Sequence, residues 1–298
     1  MHLFFYLKTS HRNQSSLNTN MKLQLLAMSC MVATAAAAHD NLAVKYRVSD
    51  HDTDAGNLRT TEMILVADNE KSLYYNTMSL YVDSCMSTPE GAARLREIQL
   101  KAWRVEYPDG TVTYDGRKLG LAPDKLEYLY VAKDRKAATV DVFDMKSDEL
   151  CRYTESSGDM QWSQAGDSTL TILGYECLPA LTTYHGRTWR VWFTPEIPVG
   201  EGPWKLHGLP GLILAADGGD GFLIEALEVG QTPQPVPQVY SVDTYQKGDR
   251  RKILADHEHY INNFESMMAA EGIKLNADGS PANLPGFDRR KRAWETDY

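Results

Sequence analysis

Apolar and polar residues alternate along much of the chain, which is the pattern of strands with one buried face. Residues 41–50 (NLAVKYRVSD) alternate in this way. Residues 59–76 repeat the alternation on both sides of Asp68-Asn69, a dipeptide typical of turns. We therefore predict one strand followed by a β-hairpin.

Two segments follow a helical period instead. The first segment predicts a helix over residues 88–103, with Ser87 or Thr88 as the capping residue and Pro89 in the first turn. Residues 249–270 carry apolar side chains at helical spacing and end before Gly272. Because an amphipathic helix must bury its apolar stripe, we expect both helices to pack against a sheet.

Between residues 126 and 229 short strand-like segments recur with frequent turn signals, which predicts an antiparallel meander rather than βαβ units. The predicted fold class is α+β, mostly antiparallel β, with a curved sheet or half-barrel and two helices packed against it. We predict a single β-rich domain over residues 39–274 and a polar tail over 275–298.

The stretch GPWKLHGLPGLIL, residues 202–214, has two interpretations. A phosphate-binding loop would precede a helix and bring Lys and Ser or Thr, whereas an apolar run follows here. The favoured interpretation is a turn: Pro210 restricts the backbone, and Gly208 and Gly211 permit positive φ or close backbone approach. The turn would lead into a buried strand, with residues 222–229 as the return strand.

The first residues predict export. Residues 21–38 combine a Met-Lys start, an apolar run and an Ala-rich end, which is typical of a signal peptide cleaved after Ala38. Residues 1–20 are then expected to be a mis-called upstream extension. The apolar run is too short for a membrane span. We expect the mature chain in the periplasm or cell envelope.

Charge excludes one class of partner. The chain has 31 lysines and arginines against 40 aspartates and glutamates, a net charge of −9. A nucleic-acid-binding protein is expected to show the opposite balance. Two short basic runs, 249–252 and 288–292, are interpreted as solvated faces rather than as contacts with an anionic envelope surface.

Export would leave three cysteines, Cys85, Cys151 and Cys177, in a compartment that permits disulfides. Cys151 and Cys177 lie in strand-like segments that are neighbours in sequence, and we predict a bridge between them. Cys85 is then buried or free. Without a paired C-x-x-C spacing, a zinc site is not expected.

The sequence shows no motif that points to catalytic or metal-binding chemistry. His257 and His259 are two residues apart on a predicted helix, where their side chains point in different directions and do not share an ion. The sequence has no Gly-x-Ser-x-Gly nucleophile motif, and its carboxylates do not stand out from an acidic surface. We expect no catalytic residue, no metal and no cofactor.

The richest candidate for binding is the segment 184–198, where both faces of a predicted strand carry aromatic residues. An arginine beside a tryptophan across a pleat can stack on a ligand, although packing is the commoner role. The candidate binding residues, there and in the following loop, are Arg187, Arg190, Trp192, Trp204 and His207.

The segment from residue 162 to 214 resembles the GLPGLI family of exported Bacteroidetes proteins, named after the motif Gly208, Leu209, Pro210, Gly211, Leu212, Ile213. The resemblance extends to ILGYEC (172–177), WFTPEIP (192–198) and GPWK (202–205). It implies export and a β-rich fold but no reaction. Cys151 is not a usual feature of that family, and the ending RAWETDY departs from its usual tail.

We therefore expect an exported non-catalytic envelope protein that binds a hydrophobic or peptide ligand between sheet and helices, or an outer-membrane or envelope partner. The alternative is a metal-dependent or hydrolytic periplasmic enzyme, and a third option is a structural surface protein. An enzyme should show convergent titratable groups in a cleft, and a carrier should show an apolar concavity.

Overall fold

The computed structural model describes residues 40–52, 57–114, 122–125, 127–147, 149–158, 160–270, 272 and 294–298. Residues Asp40–Tyr298 form one compact unit. The predicted extension 1–20 and the predicted signal peptide 21–38 lie outside the described residues and stay predictions. Among the described residues, no helix combines the length and the apolar composition needed to cross a membrane.

Strands dominate the described chain. They are β1 (Asn41–Asp52), β2 (Asn57–Ala67), β3 (Lys71–Tyr75), β4 (Arg104–Glu106), β5 (Val112–Tyr114), β6 (Tyr130–Asp134), β7 (Thr139–Lys146), β8 (Glu149–Ser156), β9 (Ser163–Gln164), β10 (Leu170–Ile172), β11 (Tyr175–Tyr184), β12 (Arg187–Thr194), β13 (Leu212–Asp217), β14 (Phe222–Thr232) and β15 (Gln246–Lys247). The helices are α1 (Thr77–Met86), α2 (Pro89–Trp103) and α3 (Arg250–Ala270), with a 3-10 turn at Val242–Thr244.

One large sheet holds 13 of these strands, in the order β10-β11-β12-β13-β14-β1-β2-β3-β6-β7-β8-β15, with β9 also paired to β11. Its pairings are antiparallel except for β15, which runs parallel to β8. The strands β4 and β5 form a separate ribbon. The predicted α+β class with mostly antiparallel strands is confirmed.

The sheet curves strongly without closing. In the strand order, eight strands separate β8 from β11. Nevertheless, Glu155 on β8 lies 3.1 Å from His185 in the turn after β11. A flat sheet would hold these residues tens of ångströms apart, because neighbouring strands are about 4.8 Å apart. The open sheet is thus larger than the predicted half-barrel.

The hairpin predicted for residues 59–76 is confirmed by β2 and β3. The carboxylate of Asp68 accepts hydrogen bonds from the backbone N–H groups of Glu70 and Lys71, both at 2.7 Å. This side-chain bonding closes the turn, as aspartate does at the first position of many turns.

Both predicted helices are present. The Thr88 hydroxyl accepts a hydrogen bond from the Gly91 N–H at 3.1 Å, so Thr88 is the cap of α2. α2 packs on α1, and α3 packs on β7 and β8. Leu254 of α3 is buried. α1 is a third helix that the sequence pattern does not predict, and the Asn76 side chain caps it by accepting a hydrogen bond from the Ser79 N–H.

The large sheet is covered on two faces. On the outer face of β2, β3, β6 and β7, a core of Val66, Leu73, Tyr75, Tyr130, Phe143 and Tyr245 packs against Leu80 of α1 and against residues 236–242. Alternate residues of the same strands, among them Ser72 and Lys133, point the other way and meet the loop of residues 199–211. We call this side the inner face.

The predicted disulfide is wrong, because Cys151 and Cys177 are both free thiols. Sequence proximity suggested neighbouring strands, but Cys151 is on β8 and Cys177 on β11, on opposite parts of the sheet. Each sulfur lies 3.6 Å from a nearby carbonyl oxygen, that of Asp144 for Cys151 and that of Tyr175 for Cys177.

Candidate functional site

The loop of residues 199–211 carries the Gly-Pro motif and leads directly into β13. β13 begins at Leu212, within the motif, and its first five residues are buried. Gly208 has φ +90°. A Cβ on Gly211 would lie 2.7 Å from the carbonyl carbon of Thr194, so only glycine fits against β12 there. Both glycines therefore shape the backbone of the loop.

An ionic cluster anchors this loop beneath the sheet. Glu201 is 2% exposed, and its Oε2 lies 2.6 Å from Nζ of Lys133. Arg135 pairs with its other oxygen, and Ser72 donates at 3.2 Å. Lys133 also reaches the carbonyl oxygens of Gly202 and Leu206, at 3.2 and 3.4 Å. Burial opposes ionisation of Glu201, but these two cations outweigh it and lower its pKa.

Within the loop, Trp204 and Lys205 are turned fully inward. Trp204 is 1% exposed and Lys205 is 0% exposed. Trp204 adopts φ +53°, a left-handed conformation that costs a bulky residue free energy. The strained backbone places the Trp204 ring 5.3 Å from that of Trp189 and 5.4 Å from that of Trp294. The loop thus projects a cation beside a stack of aromatic rings.

Lys205 is the centre of a second ionic group, the Lys205 cluster, whose members are Glu155, His185, Lys205, Arg250, Glu295 and Asp297. The Nζ atom of Lys205 lies 2.7 Å from Oε1 of Glu155 and 2.7 Å from Oε1 of Glu295. Arg250 lies 2.8 Å from Glu295 and 2.6 Å from Asp297. These residues come from β8, the β11–β12 turn, the loop, the start of α3 and the segment 294–298.

The segment Trp294–Tyr298 lies across this cluster. The Trp294 ring packs 4.9 Å from Phe222 and 6.5 Å from Tyr74 on the inner face. The backbone N–H of Thr296 donates to the carbonyl oxygen of His185 at 3.0 Å. Asp297 meets Arg250 through both carboxylate oxygens, at 2.6 and 2.7 Å. Residues that the sequence analysis assigned to a polar tail therefore form part of the site.

The electrostatics of the cluster favour its charged form. Burial opposes ionisation of Glu155, but the hydrogen bond from His185 and the charge of Lys205 lower its pKa to about 2. For Asp297, burial also opposes ionisation, but the hydrogen bond and the charge of Arg250 outweigh it and lower the pKa of this carboxyl. Burial, followed by the neighbouring Glu295 carboxylate, raises the pKa of Tyr153 well above its ordinary value. The tyrosine is therefore a neutral donor to Glu295, at 2.7 Å.

A cavity of about 190 Å³ opens beside the cluster, between α3 and the inner face. Its apolar walls are Leu129, Val142, Trp204, Leu254 and Trp294. Its polar walls are Asp144, Lys146, Tyr153, His257, Glu258, Glu295 and Tyr298. A hollow in which apolar side chains and several polar groups converge can hold a small ligand and fix its orientation.

Glu155, His185 and Glu295 bring possible metal-ligand atoms within 4.8 Å of one another. In this arrangement, however, Lys205 takes the position between the two carboxylates, at 2.7 Å from each. Arg250 adds a second positive charge at 2.8 Å from Glu295. A cation entering here would have to displace an ammonium group, so the geometry is that of an ion-pair network.

The predicted histidine pair lies on α3 as expected. His257 accepts a hydrogen bond from the backbone N–H of Ser147 at 3.1 Å, which joins α3 to the end of β7. His259 is exposed and lies beside Asn263 of the next turn. The two imidazoles therefore contact different parts of the chain, His257 the end of β7 and His259 the next turn of α3.

The five candidate binding residues are dispersed. Trp204 lines the cavity. Arg187 is buried on the inner face of β12 and donates to the carbonyl oxygen of Gly218 at 3.2 Å. Arg190 is on the opposite face, with its guanidinium 5.4 Å from the Trp192 ring. His207 has its two ring nitrogens 2.8 and 3.3 Å from the carbonyl oxygens of Lys205 and Gly158.

The members of the Lys205 cluster are not among the residues predicted from the sequence. Lys205 lies inside the stretch GPWKLHGLPGLIL, whose glycines and prolines point to a turn. Arg250 was assigned to a solvated basic run, and the carboxylates of Glu155 and Glu295 looked like ordinary surface acids. The available signal was the single lysine within the apolar stretch GPWKLHGLPGLIL, because a lysine enclosed by apolar residues needs a buried acid.

The model of a family described as "protein of unknown function (Porph_ging)" matches residues 180–215. The match runs from β11 into β13 and includes His185, Lys205 and the glycines of the loop. Over this stretch the chain is similar to a Bacteroidetes-associated family of unknown function. No curated protein matches the chain at a significant level.

Solved structures of PNGF-II in two crystal forms are similar to this chain. The form in space group C2 has a TM-score of 0.45 and 16% identity, and covers 72% of this chain and 32% of its own. The form in space group P21 has a TM-score of 0.43 and 15% identity, and covers 74% and 33%. The chain thus spans about a third of the length of the solved structures it resembles.

Proposed function

We propose that the chain is an exported, non-catalytic envelope protein of the GLPGLI type that binds a hydrophobic or peptide ligand against the inner face of its sheet. The observation that carries the proposal is the cavity of about 190 Å³ between α3 and that face, with Trp204 and Trp294 in its wall. Aromatic walls beside fixed charges suit an apolar ligand that also carries a polar group.

The chemistry of the neighbouring side chains supports binding rather than reaction. Each carboxylate of the Lys205 cluster forms an ion pair with Lys205 or Arg250. The charged groups of the cluster are therefore engaged in structural contacts with one another. Burial raises the pKa of the Cys151 thiol to about 12 and that of Cys177 to about 11. Thiols with such pKa values are protonated at neutral pH and are poor nucleophiles.

The family and the compartment belong to the same proposal. The matched stretch 180–215 contains the Gly208–Ile213 motif that suggested the GLPGLI family. Export rests on residues 21–38, whose composition is that of a signal peptide. Expression of the full chain in a Bacteroidetes host tests export: the envelope fraction should contain a protein beginning at His39, and an uncleaved cytoplasmic product would contradict the proposal.

The binding function is tested with small probes of the cavity. The probes are indole, 4-methylphenol and octanoate, each titrated into the protein by isothermal titration calorimetry. We expect at least one of them to bind saturably with a dissociation constant below about 1 mM. The matched control is Leu254→Trp, which enlarges a wall residue and should abolish binding while the circular dichroism spectrum stays unchanged. Failure of every probe to bind, or equal binding to the filled variant, would overturn the proposal.

A further inference from the structure

The segment Trp294–Tyr298 contacts the rest of the chain in the way that a bound peptide contacts its receptor. Residues 295–298 belong to no helix or strand. Their partners come from four other parts of the chain: Tyr153 on β8, His185 in a hairpin turn, Lys205 in the loop and Arg250 on α3. The segment thus sits in a site built by other elements.

Three of its side chains occupy chemically distinct subsites. The Trp294 indole lies among Trp204, Phe222 and Tyr74, with ring centroids 5.4, 4.9 and 6.5 Å away. Glu295 is 3% exposed, and its carboxylate forms ion pairs with Lys205 and Arg250 and accepts a hydrogen bond from Tyr153. Both oxygens of the Asp297 carboxylate accept hydrogen bonds from Arg250. These are an aromatic subsite and two carboxylate subsites.

The receiving surface has the charge that such a peptide requires. Without the segment, Lys205 and Arg250 face Glu155, which leaves one positive charge in excess. Buried cations of this kind bind carboxylates strongly, and arginine does so with geometric selectivity. Glu295 and Asp297 place their carboxylates beside these two cations, 2.7 Å from Lys205 and 2.6 Å from Arg250 respectively.

The hairpin turn is shaped for the passage of a peptide backbone. Gly186 lies between β11 and β12, and a Cβ there would be 2.9 Å from the backbone nitrogen of Asp297. Any side chain at position 186 would therefore collide with the segment. The adjacent His185 carbonyl oxygen accepts the N–H of Thr296, the kind of main-chain contact that holds an extended ligand.

We infer that this surface, made by Tyr153, His185, Lys205, Arg250 and the aromatic subsite, is a receptor for acidic aromatic peptides of the pattern Trp-Glu-x-Asp. The chain's own Trp294–Tyr298 segment occupies it in cis. The inference rests on the proposed function and names its ligand class. Because residues 271–293 tether the segment to α3, the segment competes at an effective concentration on the order of millimolar. A peptide from a partner binds when the segment is displaced.

The test uses a full-length variant whose segment has lost its anchoring groups: Trp294→Ala, Glu295→Gln and Asp297→Asn together. The probe is the peptide Ala-Trp-Glu-Thr-Asp-Tyr with an amino-terminal fluorescein, followed by fluorescence anisotropy. We expect a dissociation constant below about 100 µM for the variant and at least tenfold weaker binding to the wild-type chain. Equal binding to both proteins would place the peptide elsewhere and overturn the inference.

Peptide and receptor controls test the chemistry. The amide peptide Ala-Trp-Gln-Thr-Asn-Tyr and the reversed sequence should each bind at least tenfold more weakly than the probe, because they lose the charge or its spacing. On the receptor, Arg250→Gln added to the variant should weaken binding at least tenfold, whereas the exposed neighbour change Arg251→Gln should leave it unchanged. Insensitivity to Arg250→Gln would contradict the assigned site.

If the triple variant is poorly folded, the peptide should rescue it. Its melting temperature should then rise with peptide concentration, and the absence of such a rise would overturn the inference. The indole, 4-methylphenol and octanoate titrations of the wild-type chain separate the two proposals. Binding of one of these probes without peptide binding rejects only the peptide receptor, whereas failure of both rejects the binding function as well.

Discussion

The Nζ atom of Lys205 and the Oε1 atom of Glu295 form a buried ion pair 2.7 Å long that joins the loop before β13 to the segment 294–298. The two residues are 90 positions apart in sequence. Lys205 is 0% exposed and Glu295 is 3% exposed, so water screens this attraction little. The pair therefore connects the stability of the sheet to the docking of the segment.

Lys205→Met should be strongly destabilising. It leaves the carboxylates of Glu155 and Glu295 buried with one cation fewer, and breaking a buried pair in this way costs about 3–5 kcal/mol. The measurement is the free energy of unfolding from urea titration. Lys101→Met is the control, because Lys101 pairs with Glu97 on an exposed helix face and should change stability by no more than about 0.5 kcal/mol. Similar losses in both variants would contradict the assigned role.

Glu201→Gln should loosen the loop from the inner face. The change removes the charge that Lys133 and Arg135 share and leaves Lys133, 3% exposed at its side chain, without its carboxylate. We expect a loss of about 3–5 kcal/mol in the free energy of unfolding. The matched control is Glu62→Gln, whose pair with Lys45 is partly exposed, and there the loss should stay below about 1 kcal/mol. A small effect at Glu201 would mean that the loop is held by packing alone.

Gly211→Ala should destabilise the chain by about 1–3 kcal/mol, because the new methyl group overlaps the backbone of Thr194 and Pro195. Thermal unfolding followed by circular dichroism measures the effect. Gly230→Ala, on β14, is the control, since a Cβ at that position meets nothing within 4 Å and should be neutral or slightly stabilising. Equal melting temperatures for the two variants would show that β12 and the loop can separate without cost.

Acid should weaken the fold through Glu155. Its pKa in the folded chain is about 2, below the ordinary value of 4.5, so the unfolded chain takes up the proton first as pH falls. The stabilisation is present above about pH 5 and is lost towards pH 2; allowing for the partial exposure of Glu155, it amounts to about 2–3 kcal/mol. Urea titrations between pH 7 and pH 3 should show a steeper loss for the wild-type chain than for Glu155→Gln. Parallel pH profiles would refute the prediction.

The fold could be predicted where its causes are local. The period-2 pattern gave the strands, Asp68 marked the turn between β2 and β3, and Thr88 marked the start of α2, because each of these signals acts within a few residues. α1 was missed because its ten residues contain only two buried positions and show no clear apolar stripe.

The site could not be predicted because its contacts are not local. Glu155, Lys205, Arg250 and Glu295 meet only when the sheet curves and brings β8 to the β11–β12 turn. The disulfide prediction failed for the related reason that nearness in sequence says little about nearness in a sheet of this size. Of the candidate binding residues, Trp204 lines the cavity, and its left-handed backbone is not marked by a glycine in the sequence.

The pairing of β1 with β14 sets the order in which the chain can reach its native state. Asn41 lies opposite Thr232, and β1 also pairs with β2, so β1 lies inside the sheet and not at its edge. The paired residues of β1 and β14 are 172 positions apart at Asp50–Phe222 and 191 apart at Asn41–Thr232, and contacts of such sequence separation make folding slow. Until β14 pairs with it, β1 exposes an unpaired edge, which is a target for aggregation or for chaperones. The sheet can therefore be completed only after β14 has been synthesised, whereas β1, β2 and β3 can pair earlier.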